Sequence, residues 1–347
     1  MRPSRQSSPP AASVPSVVLA LAIIGLSCTS KNTGPASQSH PSPTAASPSL
    51  SAPSTAGSPA GPPSQPRGPR IRLSSLRGRV AFDCGDDVCI ADVDGSHVRR
   101  LTNRRGPEFD ATWSPDGSRV AYRDSRRGIN NNDEIYVVNT DGSGRRNLTQ
   151  SPSNDWGPAW SPDGRLIAFS SDVQLYVMRP DGTHRRRITD VEAEYPSWSP
   201  DGRRIAFMSA QPDARGSDPN YDVFVVNRNG SGLKQLTEWP GEDGWPAWSP
   251  NGKWIAFTTT HDAAGRYLGG IPYRDVYVMR PDGTRKRRIV VRLTGEMPVW
   301  SPDGRAIMFT GSHLSTPGKK YLWVVKPDGS GLRRLPIRGY LPDWIDH

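Results

Sequence analysis

From residue 79 onward, short apolar runs alternate with polar, turn-forming stretches. One set of runs reads Val120-Ala-Tyr122, Ile167-Ala-Phe169, Ile205-Ala-Phe207, Ile255-Ala-Phe257 and Ile307-Met-Phe309. A second set follows each of these in turn: Ile135-Tyr-Val-Val138, Leu175-Tyr-Val-Met178, Val223-Phe-Val-Val226, Val276-Tyr-Val-Met279 and Leu322-Trp-Val-Val325. The runs are too short for helices and rich in β-branched and aromatic residues. Their near-continuous apolar character predicts strands in sheets covered on both faces.

Punctuation between the runs is equally regular. Trp113, Trp160, Trp198 and Trp300 each lead into Ser-Pro-Asp-Gly, and Trp248 leads into Ser-Pro-Asn with Gly252. Four of the five follow a proline two residues earlier: Pro158, Pro196, Pro246 and Pro298. The glycines supply the positive φ of a tight hairpin. An Asp-Gly turn then leads to a last strand that commonly ends in Leu-Thr or Ile-Thr. Units of this kind recur at intervals of roughly 38 to 52 residues, a period that indicates a propeller or solenoid. The first unit, from Arg79, lacks a Pro-x-Trp strand, and the chain ends with Leu341-Pro342-Asp343-Trp344, a Pro-x-Trp strand with nothing after it. Five complete units and one split unit predict an all-β, six-bladed β-propeller of four-stranded antiparallel blades. Its C-terminal strand completes the N-terminal blade and removes the open edges.

The composite pattern, Pro-x-Trp-Ser-Pro-Asp-Gly through Ile-Ala-Phe, Ile-Tyr-Val-Met, Asp-Gly-Ser and Leu-Thr, resembles the repeats of the TolB-type propeller over residues 79–347. TolB itself carries a small α/β domain ahead of its propeller. A low-complexity tract stands there instead, so the resemblance implies a TolB-like propeller lipoprotein outside the Tol system itself. The fold implied is specific; the function is much less so.

Charge changes the picture only once it is located. The net charge of +10 includes seven basic and no acidic residues in 1–78, leaving 37 basic against 34 acidic in 79–347. The repeat region is therefore close to balanced, and no basic stripe with interleaved aromatics points to nucleic acid. Arg2 and Arg5 followed by the apolar Val14–Leu26 read as an export signal, too short for a membrane span. The signal ends at Cys28, a candidate lipidation site, so that 1–28 is a signal peptide. Residues 29–70 form a Ser/Pro/Ala-rich disordered tether and 71–347 the propeller. Membrane association through the lipid anchor follows, or else a periplasmic or extracellular location. Cys84 and Cys89 flank a turn and suit a disulfide in an oxidising compartment.

Candidate chemistry gathers where the first strands begin. Glu108, Asp110, Asp155, Glu194, Asp243 and Glu296, with Glu192 and Glu242 beside them, direct carboxylates from five of six blades toward one channel mouth. They are either solvated loop acids or an acidic mouth for a cation, a basic peptide segment or a polyamine. The recurrent turn acids Asp116, Asp163, Asp201 and Asp303 read as turn formers. The basic clusters after each Asp-Gly turn (Arg99-Arg100, Arg145-Arg146, Arg185 to Arg187, Arg285 to Arg288, Arg333-Arg334) read as guards on edge strands, or as a positive face against anionic lipid or cell-wall polymer. Long unlike loops carrying Tyr221, Trp239, Tyr267 and Tyr273 are specificity candidates. No G-x-S-x-G or H-E-x-x-H occurs. The expectation is a monomeric, extracytoplasmic binding scaffold for an envelope protein, peptide or glycan, with no catalytic residues, cofactor, metal or nucleic acid. The alternative is a metal-assisted polysaccharide lyase or hydrolase, which requires His261 and His313 to meet near Glu242 or Glu296.

Overall fold

The computed structural model describes residues 69–104, 106–125, 132–212, 219–261, 267–268, 271–290, 293, 295–312 and 319–346. Cys28, the tract 29–68 and His313 lie outside the described residues. Six four-stranded antiparallel sheets form the fold. Blade 1 joins Tyr340–Ile345, Arg79–Asp83, Val88–Asp92 and Arg99–Arg100 in that order, so the C-terminal strand is its first. Blade 2 is Glu108–Trp113, Arg119–Asp124, Glu134–Asn139 and Arg146–Asn147; blade 3 is Asp155–Trp160, Ile167–Ser171, Gln174–Met178 and Arg186–Glu192. Blade 4 is Glu194–Trp198, Arg204–Pro212, Pro219–Asn227 and Lys234–Gln235. Blade 5 is Asp243–Trp248, Ile255–Thr259, Asp275–Met279 and Arg287–Val290, and blade 6 is Glu296–Trp300, Ile307–Gly311, Tyr321–Val325 and Arg333–Arg338. First strands of successive blades lie against one another all the way round, blade 6 against blade 1 included, so the ring is closed.

The core lies between blades. Ala121, Ile135, Val137 and Leu148 of blade 2, for example, pack on Trp160, Ile167, Phe169 and Met178 of blade 3. The central alanine of the second strand (Ala121, Ala168, Ala206, Ala256) is fully buried in each case, leaving room for the large side chains of the adjoining blade. Phe169, Phe207, Phe257 and Phe309 are fully buried. Each contributes on the order of 2–3 kcal/mol of hydrophobic stabilisation.

The repeated motifs have local mechanical explanations. In the Trp-Ser-Pro-Asp-Gly turn, Ser114 Oγ donates to Asp116 Oδ1 (2.6 Å) and accepts from the Arg119 amide (2.9 Å). Gly117 takes φ +66° at the turn. The Ser114 hydroxyl, with the Ser118 amide and hydroxyl, holds Asp116 down at about 2. The Leu-Thr ending serves the third strand. Thr237 Oγ1 accepts from the Val223 amide and donates to Asp222, both at 2.9 Å, and Thr149 Oγ1 likewise links the Ile135 amide (3.0 Å) to Glu134 (2.5 Å). Cys84 and Cys89 are joined by a disulfide, their Cα atoms 5.8 Å apart.

Basic residues after the Asp-Gly turns are stitches rather than edge guards alone. The residue four past the turn glycine reaches a backbone carbonyl of the next blade's corresponding turn. Arg146 donates to Pro180 (3.0 Å), Arg186 to Arg228 (3.0 Å), Lys234 to Asp282 (2.9 Å) and Arg287 to Pro327 (2.7 Å), and Arg99 reaches Thr140. In blade 6 the same position, Arg333, donates to Ile71 (2.9 Å), and the Ile71 amide donates to Gly331 (3.2 Å). The blade 6 stitch therefore ends on the segment before the first strand, where the other five end on a turn of the next blade. Closure has a second clasp: Asp343 of the C-terminal strand accepts from the Trp113 amide (2.7 Å) and from Thr112 Oγ1 (3.0 Å) in blade 2.

Candidate functional site at the channel mouth

Every first strand opens at the same end of the ring, and five of the six open on an acid: Glu108, Asp155, Glu194, Asp243 and Glu296, with Tyr340 in blade 1. Each strand then carries one residue in the left-handed region, always three before the repeat tryptophan. These are Asp110 (φ 57°), Gly157 (59°), Tyr195 (50°), Trp245 (50°), Met297 (52°) and Leu341 (50°). Five non-glycine residues in this conformation each cost about 1–2 kcal/mol, which the packed ring sustains. The register shifts between first and second strands fall at this point. Residues at this position meet neighbours round the ring. The Gly157 amide donates to Asp110 Oδ2 (3.4 Å), and the rings of Tyr195 and Trp245 lie 6.0 Å apart.

The acids themselves differ sharply in surroundings. Glu108 and Asp155 are buried, and burial raises both above the usual carboxylate range. Their cations come from the fourth-strand side of the same blade, at the position three past the turn glycine. Arg145 lies 3.7 Å above the Tyr136 ring, donates to Tyr122 Oη (2.7 Å), and sits against Asp124 and 3.9 Å from Glu108. Arg185 runs past Phe169 and Tyr176 to pair with Asp155 at 2.9 Å. In blade 5, Lys286 lies 5.5 Å from the Trp239 ring and exerts a small downward pull on Asp243, whose burial nevertheless pushes it up to about 7. Glu296 is held by Lys320 (2.5 Å), with Arg274 4.0 Å away and also paired to Glu242. Asp110 pairs with Arg123 (3.1 Å), a second-strand residue that also approaches Asp133 (3.4 Å).

Glu194 stands apart. It is half-buried, its carboxyl pushed up to about 7 by burial and then by the neighbouring Glu192, with the Tyr221 hydroxyl opposing as a hydrogen-bond partner. Among the described residues no Lys or Arg forms an ion pair with Glu192 or Glu194. Tyr221 belongs to the long hairpin of blade 4, which pairs from Arg204↔Asn227 to Pro212↔Pro219. Among the described residues, the blade 4 sector is thus the part of the mouth whose partly exposed acids have no ion-pair partner.

Other candidates separate. Trp239 stacks on His261 (4.7 Å) and packs edge-on to Tyr277 (5.3 Å), and Tyr273 is buried, so both aromatics serve packing. The side chain of Tyr267, like His313, lies outside the described residues. Among the described residues no group of three or more His, Cys, Asp or Glu is placed to hold a metal ion. The mouth cations were missed at the level of sequence. Their signal was present in the constant offset of Arg145, Arg185 and Lys286 from Gly142, Gly182 and Gly283.

With this geometry in view, comparisons with known proteins bear on the fold. The TolB beta propeller domain model matches residues 80–215. No curated protein matches the chain. Among solved structures, TolB from Acinetobacter baumannii is 22% identical with a TM-score of 0.62, covering 77% of this chain and 66% of its own. A putative TolB from Agrobacterium tumefaciens is 20% identical with a TM-score of 0.59, covering 77% and 91%. The tricorn protease is 19% identical with a TM-score of 0.58, covering 78% of this chain but 26% of its own. The repeat, the closed ring and these likenesses agree: the chain folds as a six-bladed β-propeller, similar to that of TolB.

Proposed function

We propose that the protein is an exported, non-enzymatic binding scaffold whose mouth receives a cationic side chain from an extended segment of an envelope protein. The observation that carries this reading is the acid pair Glu192 and Glu194 beside Tyr221, which forms no ion pair among the described residues, in a ring whose other described mouth acids are paired or fully buried. An acid held near neutrality by burial and a like charge is stabilised in its ionised form when a cation arrives. Tyr221 and the irregular blade 4 hairpin offer an aromatic and backbone surface alongside, on a rigid scaffold. Export is supported by the basic, apolar and Cys28 sequence of residues 1–28, and the TolB-like propeller is consistent with it. Lipidation of Cys28 and a protein partner belong to the same proposal.

Binding of short Lys- or Arg-containing peptides, measured by fluorescence anisotropy with neutral counterparts as reference, tests the site. Preference for basic peptides that disappears in E192Q/E194Q is the expected outcome. Equal binding of basic and neutral peptides, or no effect of the double substitution, would remove the mouth as the binding surface.

A further inference from the structure

The end of the ring opposite the mouth is built from the Trp-Ser-Pro-Asp-Gly and Asp-Gly turns, and it has the reverse electrostatic character. Two clefts between blades open on this face. One, of about 390 Å³ between blades 2 and 3, is lined by Arg119, Arg146, Arg165, Arg179, Pro180 and Asp181. The other, of about 630 Å³ between blades 4 and 5, includes Arg204, Lys234, Arg280 and Arg285 with Asp282. The single acid in each is already engaged by its own turn: Asp181 accepts from Thr183 (2.9 and 2.6 Å) and Asp282 from Thr284 (2.9 and 2.7 Å). Some cations are likewise committed. Arg146 and Lys234 are stitches, while Arg119 and Arg204 lie over Trp160 (4.9 Å) and Trp248 (4.7 Å). Arg165, Arg179 and Arg285 are exposed on the rim.

A second observation concerns the path of the chain. Ile71 is bonded to Gly331 and Arg333 at the blade 6 turn, and Pro69 lies against Gly331 on the same face. Everything N-terminal to residue 69, including the apolar run Val14–Leu26 and Cys28, is therefore joined to the protein at the basic face, away from the acidic mouth. That N-terminal stretch carries no acid, so it offers these clefts no counter-charge.

We propose that this turn face docks on anionic lipid, with the two arginine clefts taking the headgroup phosphates. Guanidinium groups clustered at a cleft rim suit phosphate oxygens, which they bind in forked, charge-assisted hydrogen bonds. Basic residues near an anionic leaflet each add about 1 kcal/mol, roughly a fivefold gain in partitioning, and the effect is screened by salt. Docking in this sense sets the orientation: the mouth, with Glu192 and Glu194, points away from the membrane and toward its partner. The proposal is independent of what the mouth binds.

The test uses the full chain carrying C28S, so that no acyl chain is attached at that residue. Its flotation is measured with vesicles of phosphatidylcholine alone and of phosphatidylcholine mixed with phosphatidylglycerol, across a salt series. Preference for the anionic vesicles is expected to weaken with salt and to fall by about a hundredfold in R165Q/R179Q/R285Q. Those three substitutions leave the six stitches intact, and E192Q/E194Q serves as the opposite-face control, with preference unchanged. Equal partitioning onto both vesicles, or full retention in the triple variant, overturns the proposal. Saturable binding of inorganic phosphate without any vesicle preference would assign the clefts to a soluble phosphate and overturn it as well.

Discussion

Asp243 is fully buried at the start of the blade 5 first strand, and burial pushes its carboxyl up to about 7. The opposing pulls of the Thr259 and Thr237 hydroxyls and of Lys286 are smaller, and Asp222 adds to the rise. The unfolded chain ionises this group near 3.9. Between those values the folded state binds the extra proton, so stability falls as pH rises and the full penalty is reached above pH 7. At 1.36 kcal/mol per unit, the penalty grows by about 2–3 kcal/mol between pH 5 and pH 8. Asp243→Asn is neutral throughout and escapes it, at a pH-independent cost of about 1 kcal/mol for an imperfect hydrogen bond. Glu194 and Asp222 shift in the same direction, so only the difference between wild type and variant isolates this residue. Urea unfolding at a series of pH values should show the variant gaining about 2–3 kcal/mol on wild type from pH 5 to pH 8, with m unchanged. Parallel profiles, or a variant that gains toward acid, would refute the reasoning.

Three further outcomes are expected. Asp343→Ala strips the Trp113 amide and Thr112 hydroxyl of their acceptor at the closing seam, and should cost about 2–3 kcal/mol in denaturant unfolding. Thr237→Val should cost about 2 kcal/mol by depriving the Val223 amide of its acceptor and Asp222 Oδ1 of its donor, whereas the exposed turn substitution Asp141→Ala should stay within about 0.5 kcal/mol. Affinity for a basic peptide should rise with pH as Glu194 ionises near 7, by up to about thirtyfold from pH 5.5 to pH 8, and the rise should vanish in E194Q.

The fold was legible because each blade repeats its own instructions. The Trp-Ser-Pro-Asp-Gly turns, the Ile-Ala-Phe strands and the orphan Leu341-Pro-Asp-Trp344 strand each correspond to an observed element, down to the split blade. The mouth was legible only in half. Its acids could be read because they open strands whose far ends are marked by the repeat tryptophan. Their cations could not, since Arg145 lies 37 positions after Glu108 and belongs to a two-residue basic cluster whose members face differently. Along a strand, successive side chains take opposite sides. Arg145 accordingly turns onto the blade's aromatic face while Arg146 stitches to the next blade. The left-handed residue three before each tryptophan was also invisible, because only Gly157 among the six is a glycine.

In the function proposed above, the protein holds a partner through the blade 4 sector of its mouth. The most direct measurement replaces Tyr221 with a photoreactive residue in the full chain and irradiates the protein in its native envelope, with and without E192Q/E194Q. One defined protein adduct, mapped to a basic segment and lost in the acid-neutralised form, is the predicted result. An adduct pattern indifferent to Glu192 and Glu194, or cross-linking to no protein at all, would contradict the account.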